Sequence, residues 1–264
     1  MAHESSFRDV SIRSGDIAVR QIHLDDLWAC LRAGYQDFNA RPSFGVFLAV
    51  IYPLFAVLVT VLARGDGLLH LLFPVIAGLA LVGPVVSVAL FEMSRRRELG
   101  LDLGWRATFG FVHSASFAPI LALSIVMVTL YVAWLFTAQS LYVGLFGADP
   151  PASLGDLWAR LWSTRAGAAF VIYGCALGAI FAFATLAASV IAFPLLLDRP
   201  TTAVTAMGTS IRAVASNLAV MTAWGLIVAL LLAAGTLLLL VGLAAVLPIL
   251  GHATWHLYRR VVAA

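Results

Sequence analysis

Residues 218–257 read LAVMTAWGLIVALLLAAGTLLLLVGLAAVLPILGHATWHL, forty consecutive positions at which only His252 and His256 can carry charge. An α-helix rises 1.5 Å per residue, so about 20 apolar residues cross the roughly 30 Å of hydrocarbon in a bilayer. Forty residues are too many for one crossing. The run therefore predicts two membrane-spanning helices with a turn between Gly235 and Gly242.

The rest of the chain has the same apolar character. Of its 264 residues 62% are hydrophobic and 11% are charged, and the mean hydropathy is +1.00, whereas about a quarter of a soluble protein is charged. Backbone polar groups cannot stay unpaired in lipid, so spans are helices or closed barrels, and apolar runs that do not alternate exclude the barrel. We predict an all-α polytopic membrane protein whose first partner is the lipid bilayer.

Six spans are predicted from the apolar runs. They cover residues 44–63, 68–91, 117–138, 168–194, 218–237 and 240–258. Together they form one transmembrane domain, residues 24–260, behind a polar tail of residues 1–23. That tail contains no apolar segment of the signal-peptide kind, so we expect the first span to serve as an uncleaved insertion signal.

The placement of arginine predicts the orientation in the membrane. All sixteen basic residues are arginine, and with the N-terminus inside only Arg64, Arg160 and Arg165 fall on the outer side. Positive residues accumulate in cytoplasmic loops, so both termini are predicted to be cytoplasmic. The net charge of +3 follows the membrane-facing loops, and nucleic acid is not expected as a partner.

A short amphipathic stretch precedes each odd-numbered span, which predicts a repeated unit. Leu31-Arg32-Ala33, Trp105-Arg106-Ala107 and Ile211-Arg212-Ala213 mark the same point in three copies. The apolar face of such a helix would lie at the headgroup boundary while its arginine reaches lipid phosphates. The predicted architecture is three hairpins of two spans, each preceded by an interfacial helix.

Tryptophan is enriched at membrane–water interfaces because its ring is apolar and its N–H is polar. Five tryptophans are predicted to be interfacial anchors: Trp28, Trp105, Trp158, Trp162 and Trp255.

His252 and His256 are four residues apart and would share one face of a helix. Imidazoles at this spacing can bind zinc, copper or haem iron, although a structural metal site needs about four ligands. In the alternative interpretation both histidines anchor the last span at the interface with Trp255 and Tyr258. Because the ligand set is incomplete, we expect no cofactor, with a metal or haem at the two histidines as the open alternative.

A further polar cluster is predicted on the same side of the membrane. It consists of Glu92, Arg95, Arg96 and His113. Glu92 is interpreted as pairing with the arginines, although a carboxylate at the end of a span can also belong to an ion path. The chain contains no catalytic triad or phosphate-binding loop, and its polar segments are too short for a separate catalytic domain. We do not expect an enzyme.

Several short motifs resemble the DUF2189 family of bacterial integral membrane proteins of unknown function. They are Leu81-Val82-Gly83-Pro84, the segment 91–96, the segment 199–204 and the segment 251–259, and the resemblance extends over about residues 24–260. Some members of that family are labelled as cytochrome c oxidase subunits. The resemblance implies a location in the bacterial inner membrane.

Two functions of different classes follow. The first is a non-catalytic accessory or assembly protein of a respiratory complex, with the subunits of a haem–copper terminal oxidase as expected partners. It is supported by the resemblance and by the small residues around Gly174 and Gly178, which favour helix association within the protein or with a partner. The alternative is a protein that handles or transports a small molecule, a lipid or a metal, and it predicts a polar, roomy pocket between the hairpins.

Overall fold

The computed structural model describes residues 17–42, 69–237 and 242–263. Within these residues the regular elements are helical, as predicted. The helices are α1 (Leu24–Ala40), α2 (Leu72–Val86), α3 (Val88–Glu98), α4 (Trp105–Thr108), α5 (Phe117–Phe146), α6 (Leu154–Ser163), α7 (Arg165–Ser189), α8 (Ala192–Asp198), α9 (Ala203–Ser216), α10 (Leu218–Leu237) and α11 (Leu243–Val261). Short 3-10 turns, Leu69–Leu71 and Phe109–His113, precede α2 and α5.

Four stretches of the described chain are long and apolar enough to cross a membrane. They are Leu69–Glu98, Phe117–Phe146, Arg165–Asp198 and Leu218–Leu237, and they correspond to the second to fifth predicted spans. The first predicted span, residues 44–63, lies outside the described residues. The sixth corresponds to α11, which is helical but does not belong to these four, because histidines and arginines make its second half polar.

Two of these stretches are interrupted near a proline. Helix α2 ends at Val86, two residues after Pro84, whose ring cannot donate a hydrogen bond to the preceding turn. Pro194 instead lies in the first turn of the short helix α8, where a missing N–H is tolerated. Each stretch is therefore a long apolar helix followed by a short one, α3 or α8.

Helices α3, α8 and α11 end at one face of the molecule. We call it the arginine-bearing face, and it carries Arg95, Arg96, Arg97, Arg199, Arg259 and Arg260. The two ends of the described chain also meet there: Val19 forms an isolated antiparallel bridge with Val262, and the Arg20 N–H donates to the Val261 carbonyl at 2.8 Å. Both ends thus lie on the same side of the protein.

The last two helices form a hairpin that leaves this face and returns to it. Their far ends converge at Gly235 and Gly242, where a Cβ added to Gly242 would lie 2.8 Å from the Gly235 Cα. Only glycine permits so close an approach, because any side chain would collide with the facing backbone. Residues 238–241, at the predicted turn, lie outside the described part of the chain.

The core is built around α8, whose residues Ala192 to Leu197 are all buried. It contacts α3, α5, α7, α9 and α11. Large apolar side chains on α5, α7 and α10 point outward instead, among them Phe136, Ile180 and Leu230. Exposed apolar side chains on long apolar helices are suited to contact with lipid, since lipid chains are as apolar as the side chains themselves.

Candidate functional sites on the arginine-bearing face

A buried polar cluster lies where α1, α3 and α11 meet. We call it the Asp37 cluster, and it comprises Asp37, Ser94, Arg97, His252 and His256. The Asp37 side chain is only 7% exposed, and its Oδ2 accepts a hydrogen bond from His256 Nε2 at 3.0 Å. The Ser94 hydroxyl donates to the same oxygen, and the Arg97 guanidinium pairs with Oδ1. One carboxylate thereby joins three helices.

Ser94 also connects His252 to this carboxylate. The Ser94 Oγ lies 2.8 Å from His252 Nδ1, and the same hydroxyl donates to Asp37. The His252 ring is hydrogen-bonded to the Leu90 backbone as well. Ser94 therefore links His252, which does not touch Asp37 directly, to the buried carboxylate.

Burial acts to raise the pKa of the Asp37 carboxyl, but the hydrogen bonds from His256 and Ser94 outweigh it. The pKa of Asp37 is consequently lowered from its ordinary value. Asp37 is ionised at neutral pH; its carboxylate pairs with the partly exposed Arg97 and accepts hydrogen bonds from His256 and Ser94. This balance allows a carboxylate to sit inside the protein.

The backbone brings the partners of this cluster together. Gly34 of α1 faces α11 so closely that a Cβ at Gly34 would lie 2.6 Å from both the Ala253 nitrogen and the Ile249 carbonyl oxygen. Near the start of α1, Arg260 pairs with Asp26. Helix α1 is therefore held to α11 at both ends, and its face of Leu27, Cys30, Gly34 and Asp37 is buried.

A second network joins the ends of α3, α8 and α11. Arg259 pairs with Glu98 at 2.9 Å and with Asp198 at 3.3 Å. The Tyr258 hydroxyl donates to Asp198 Oδ2 at 2.6 Å, and the Trp255 Nε1–H donates to Glu98 Oε2 at 3.0 Å. Trp255 thus differs from the expectation of an interfacial anchor, because its ring is 1% exposed and its N–H is satisfied inside the protein.

The other four predicted anchors are exposed. Trp28 is 72% exposed on α1, and Trp105 lies at the start of α4. Trp158 and Trp162 lie one turn apart on α6, and their ring centres are 5.5 Å from each other. Their placement on short helices beside the long apolar ones is compatible with the interfacial role predicted for them.

A polar pocket of about 360 Å³ opens between α3, the 3-10 turn before α5, and α8. We call it the basic pocket; its lining residues are Glu92, Arg95, Arg96, Gly110, Phe111, Ser114, Ser116 and Leu197. Glu92 is buried and lies 3.7 Å from Arg95 and 3.5 Å from Arg96. Two guanidinium groups against one carboxylate leave the lining with an excess positive charge.

The basic pocket contains most of the polar cluster predicted from the sequence. Glu92, Arg95 and Arg96 lie together in its lining. His113 lies on the adjoining 3-10 turn and is exposed, but it is not among the residues that line the pocket.

The two histidines predicted as metal ligands belong to the Asp37 cluster. His252 Nδ1 and His256 Nε2 are each engaged in a hydrogen bond. Across the described residues, no group of three or more His, Cys, Asp or Glu side chains is arranged to hold a metal ion. Metal or haem binding at His252 and His256 stays a prediction.

The sequence-based prediction missed Asp37, Ser94 and Arg97. Their partners are 57 to 219 residues away in the chain, and no local spacing reveals such contacts. A signal was present in α1 nevertheless: Cys30, Gly34 and Asp37 follow helical spacing on a face of small and polar residues. Such a face is suited to packing on another helix rather than on lipid.

A third polar group lies at the opposite end of the long helices. His70 Nε2 lies 2.5 Å from Gln139 Oε1, and the His70 ring stacks on Tyr142 with centres 4.1 Å apart. Arg160 donates to the Tyr142 hydroxyl at 3.2 Å and pairs with Asp156. These contacts tie α6 to the far ends of α2 and α5.

The long apolar helices, the outward-facing apolar side chains and the polar groups at both ends define a polytopic α-helical integral membrane protein. A family model described as a predicted integral membrane protein, DUF2189, matches residues 72–198, and the resemblance drawn from the sequence is confirmed over that range. No curated protein and no solved structure gives a significant match. The matched range includes every residue that lines the basic pocket, whereas Asp37, His252 and His256 lie outside it.

Proposed function

We propose that this membrane protein binds an anionic small molecule or lipid headgroup in the basic pocket. The main support is the pocket itself, which has a volume of about 360 Å³ and two arginines and one carboxylate in its lining. Ligand pockets range from about 300 to 1,000 Å³ and use few, well-placed polar groups. The volume fits a small ligand or one headgroup, and the excess positive charge favours an anion.

The location of the pocket supports the same function. One wall is α3, at the end of the second predicted span, and another is the 3-10 turn that precedes the third predicted span. The pocket therefore lies between the first two proposed hairpin units. A site between hairpins is what the ligand-handling alternative predicts from the sequence. Neither the two histidines nor a cofactor takes part in this proposal.

The packing of the short helices supports the proposed three units. Helix α9 packs on α7 and α8, and α4 lies beside α3, so each short helix contacts the second span of the unit before it. Helix α1 packs in the same way on α11 of the last unit. We extend the proposal to six spans in three hairpins, placed in a bacterial inner membrane with both termini and the arginine-bearing face in the cytoplasm.

Thermal unfolding of the purified protein in detergent, with a panel of small anions, tests the binding function. Phosphate, glycerol phosphate, citrate and chloride serve as probes, with each anion compared at matched ionic strength. Binding to the folded state raises the unfolding temperature.

At least one anion should stabilise the wild type and have less effect on Arg95→Gln and Arg96→Gln. Arg165→Gln is the control, because Arg165 is exposed at the opposite end of the protein. Equal responses of all variants, or no response to any anion, would contradict the proposal.

An accessory role in a respiratory complex is the second proposal, and it rests on the family resemblance. The small residues Gly174 and Gly178 do not add to it, since they face Leu141 and Trp134 of the same chain. Exposed Leu226, Leu230 and Leu237 on α10 offer an apolar surface to lipid or to a partner. Purification in mild detergent should bring oxidase subunits along if this role is right, and an isolated chain would count against it.

A further inference from the structure

We infer that the ligand of the basic pocket is the phosphodiester group of an anionic phospholipid. This inference rests on the proposed function and names the chemical class of the ligand. It follows from three features: the kind of donors in the lining, the net charge of the lining, and the apolar surface beside it.

The donors of the pocket suit phosphate oxygens. Arg95 and Arg96 offer planar guanidinium groups, which bind phosphate through paired N–H donors. The side chains of Arg95 and Arg96 are 25% and 19% exposed, so both are reachable and partly fixed. Ser116 adds a hydroxyl that makes no capping hydrogen bond at the start of α5. Two guanidinium groups and a hydroxyl are a donor set that a tetrahedral oxyanion can share.

The net charge of the lining discriminates between phosphate species. Glu92 is buried against Arg95 and Arg96, and it offsets one of their two positive charges. The excess of one positive charge matches a phospholipid whose headgroup carries one net negative charge on its phosphodiester, whereas a zwitterionic headgroup such as phosphocholine adds a cation that the arginines repel. A phosphate monoester carries about 1.5 to 2 negative charges at neutral pH, which the same lining answers less completely.

The surroundings of the pocket indicate that the phosphate belongs to a lipid. Arg95 and Arg96 lie near the end of the stretch Leu69–Glu98, the depth at which hydrocarbon gives way to headgroups. Trp105, Phe109 and Phe117, which precede or begin α5 beside the pocket, are all exposed apolar side chains. The rings of Trp105 and Phe109 stack at 6.2 Å. This apolar surface provides contact for acyl chains, which a free phosphate ion does not have.

Native mass spectrometry of the delipidated protein tests this inference directly. Phosphatidylglycerol and phosphatidylcholine are titrated separately, and bound lipid is counted for wild type, Arg95→Gln/Arg96→Gln and the control Arg165→Gln. The wild type and the control should hold one phosphatidylglycerol in preference to phosphatidylcholine. The double variant should bind phosphatidylglycerol about tenfold more weakly, since it loses charge-assisted hydrogen bonds.

Other outcomes would contradict the lipid assignment or the binding function. Equal binding of the two lipids, or binding unchanged in the double variant, contradicts the lipid assignment. Another contradicting result, in the thermal-unfolding assay, is that inorganic phosphate raises the unfolding temperature as much as phosphatidylglycerol does, with both effects lost in the double variant. That result would assign the pocket to a free ion. An arginine-dependent response to citrate without any to phosphatidylglycerol would keep the proposed function and refute this inference. If the double variant does not fold, Ser116→Ala takes its place and should weaken phosphatidylglycerol binding in the same direction; unchanged binding would refute the inference.

Discussion

Gly34 and Ala253 bring the first and last described helices into backbone contact. A Cβ at Gly34 would stand 2.6 Å from the Ala253 nitrogen, closer than unbonded heavy atoms approach. Three residues beyond each of these positions, Asp37 and His256 form a hydrogen bond of 3.0 Å. The close crossing therefore makes the Asp37 cluster possible, because a wider one would leave the carboxylate short of its partners.

Replacing Gly34 by alanine should destabilise the protein. The added methyl group meets backbone atoms of Ala253 and Ile249 that cannot rotate away, and overpacking of this kind costs about 1–3 kcal/mol. Gly144→Ala in α5 is the matched control, since its Cβ would meet nothing within 4 Å. The unfolding temperature in detergent, followed by size-exclusion chromatography after heating, should fall for Gly34→Ala only. An equal change in the two variants would contradict the crossing geometry.

Asp37→Asn should weaken the packing of α1 on α11. The variant removes the charge that His256 and Arg97 answer, and breaking a buried pair costs about 3–5 kcal/mol when both partners are enclosed. Because Arg97 is partly exposed, we expect about 2–3 kcal/mol. Asp25→Asn on the exposed side of the same helix should change stability by less than about 0.5 kcal/mol. Denaturant unfolding of both variants measures the difference, and equal stability would refute the role of the cluster.

The contribution of Asp37 should depend on pH in a defined direction. The pKa of this carboxyl is lower in the folded protein than in the unfolded chain, where the value is about 3.9. Its stabilisation is therefore fully present above the unfolded pKa and is lost as the pH falls through the folded pKa. The stability gap between wild type and Asp37→Asn should persist from pH 7 to pH 5 and shrink below about pH 4. A gap that closes already near pH 6 would contradict this assignment.

Tyr258→Phe isolates one bond of the network around Arg259. The variant keeps the ring and removes the hydroxyl that donates to Asp198 at 2.6 Å, so a loss of about 1–2 kcal/mol is expected. Tyr173→Phe on α7 is the matched control, because Tyr173 is exposed. Thermal unfolding of the pair should show a loss for Tyr258→Phe alone. No loss there would mean that water or lipid replaces the Asp198 contact.

The membrane helices could be predicted because hydropathy is a local property. The helix predicted to end at residue 138 nevertheless continues to Phe146, since Gln139 has a buried partner in His70 and Gly147, with φ of 83°, ends the helix. Trp255 was expected at the interface because a tryptophan ring combines an apolar body with a polar N–H. Its actual partner, Glu98, is 157 residues away, and such pairings depend on packing that spacing along the chain does not encode.

The basic pocket also combines residues that are close in the sequence with residues from distant segments. Glu92, Arg95 and Arg96 share one helical turn, so their association was predictable from the sequence. The opposite wall, formed by Phe111, Ser116 and Leu197, comes from segments with no common motif. The charge of the site could thus be predicted, whereas its volume and enclosure could not.

The proposed orientation places the arginine-bearing face, with both ends of the described chain and the basic pocket, in the cytoplasm. Paired reporters test it: green fluorescent protein, which fluoresces only in the cytosol, and alkaline phosphatase, which is active only outside it. Each is placed after Ala264 and, separately, within residues 147–152 at the opposite end of the protein. We expect fluorescence without phosphatase activity at the C-terminus, and phosphatase activity without fluorescence at 147–152. The reverse pattern, or the same compartment for both positions, would contradict it.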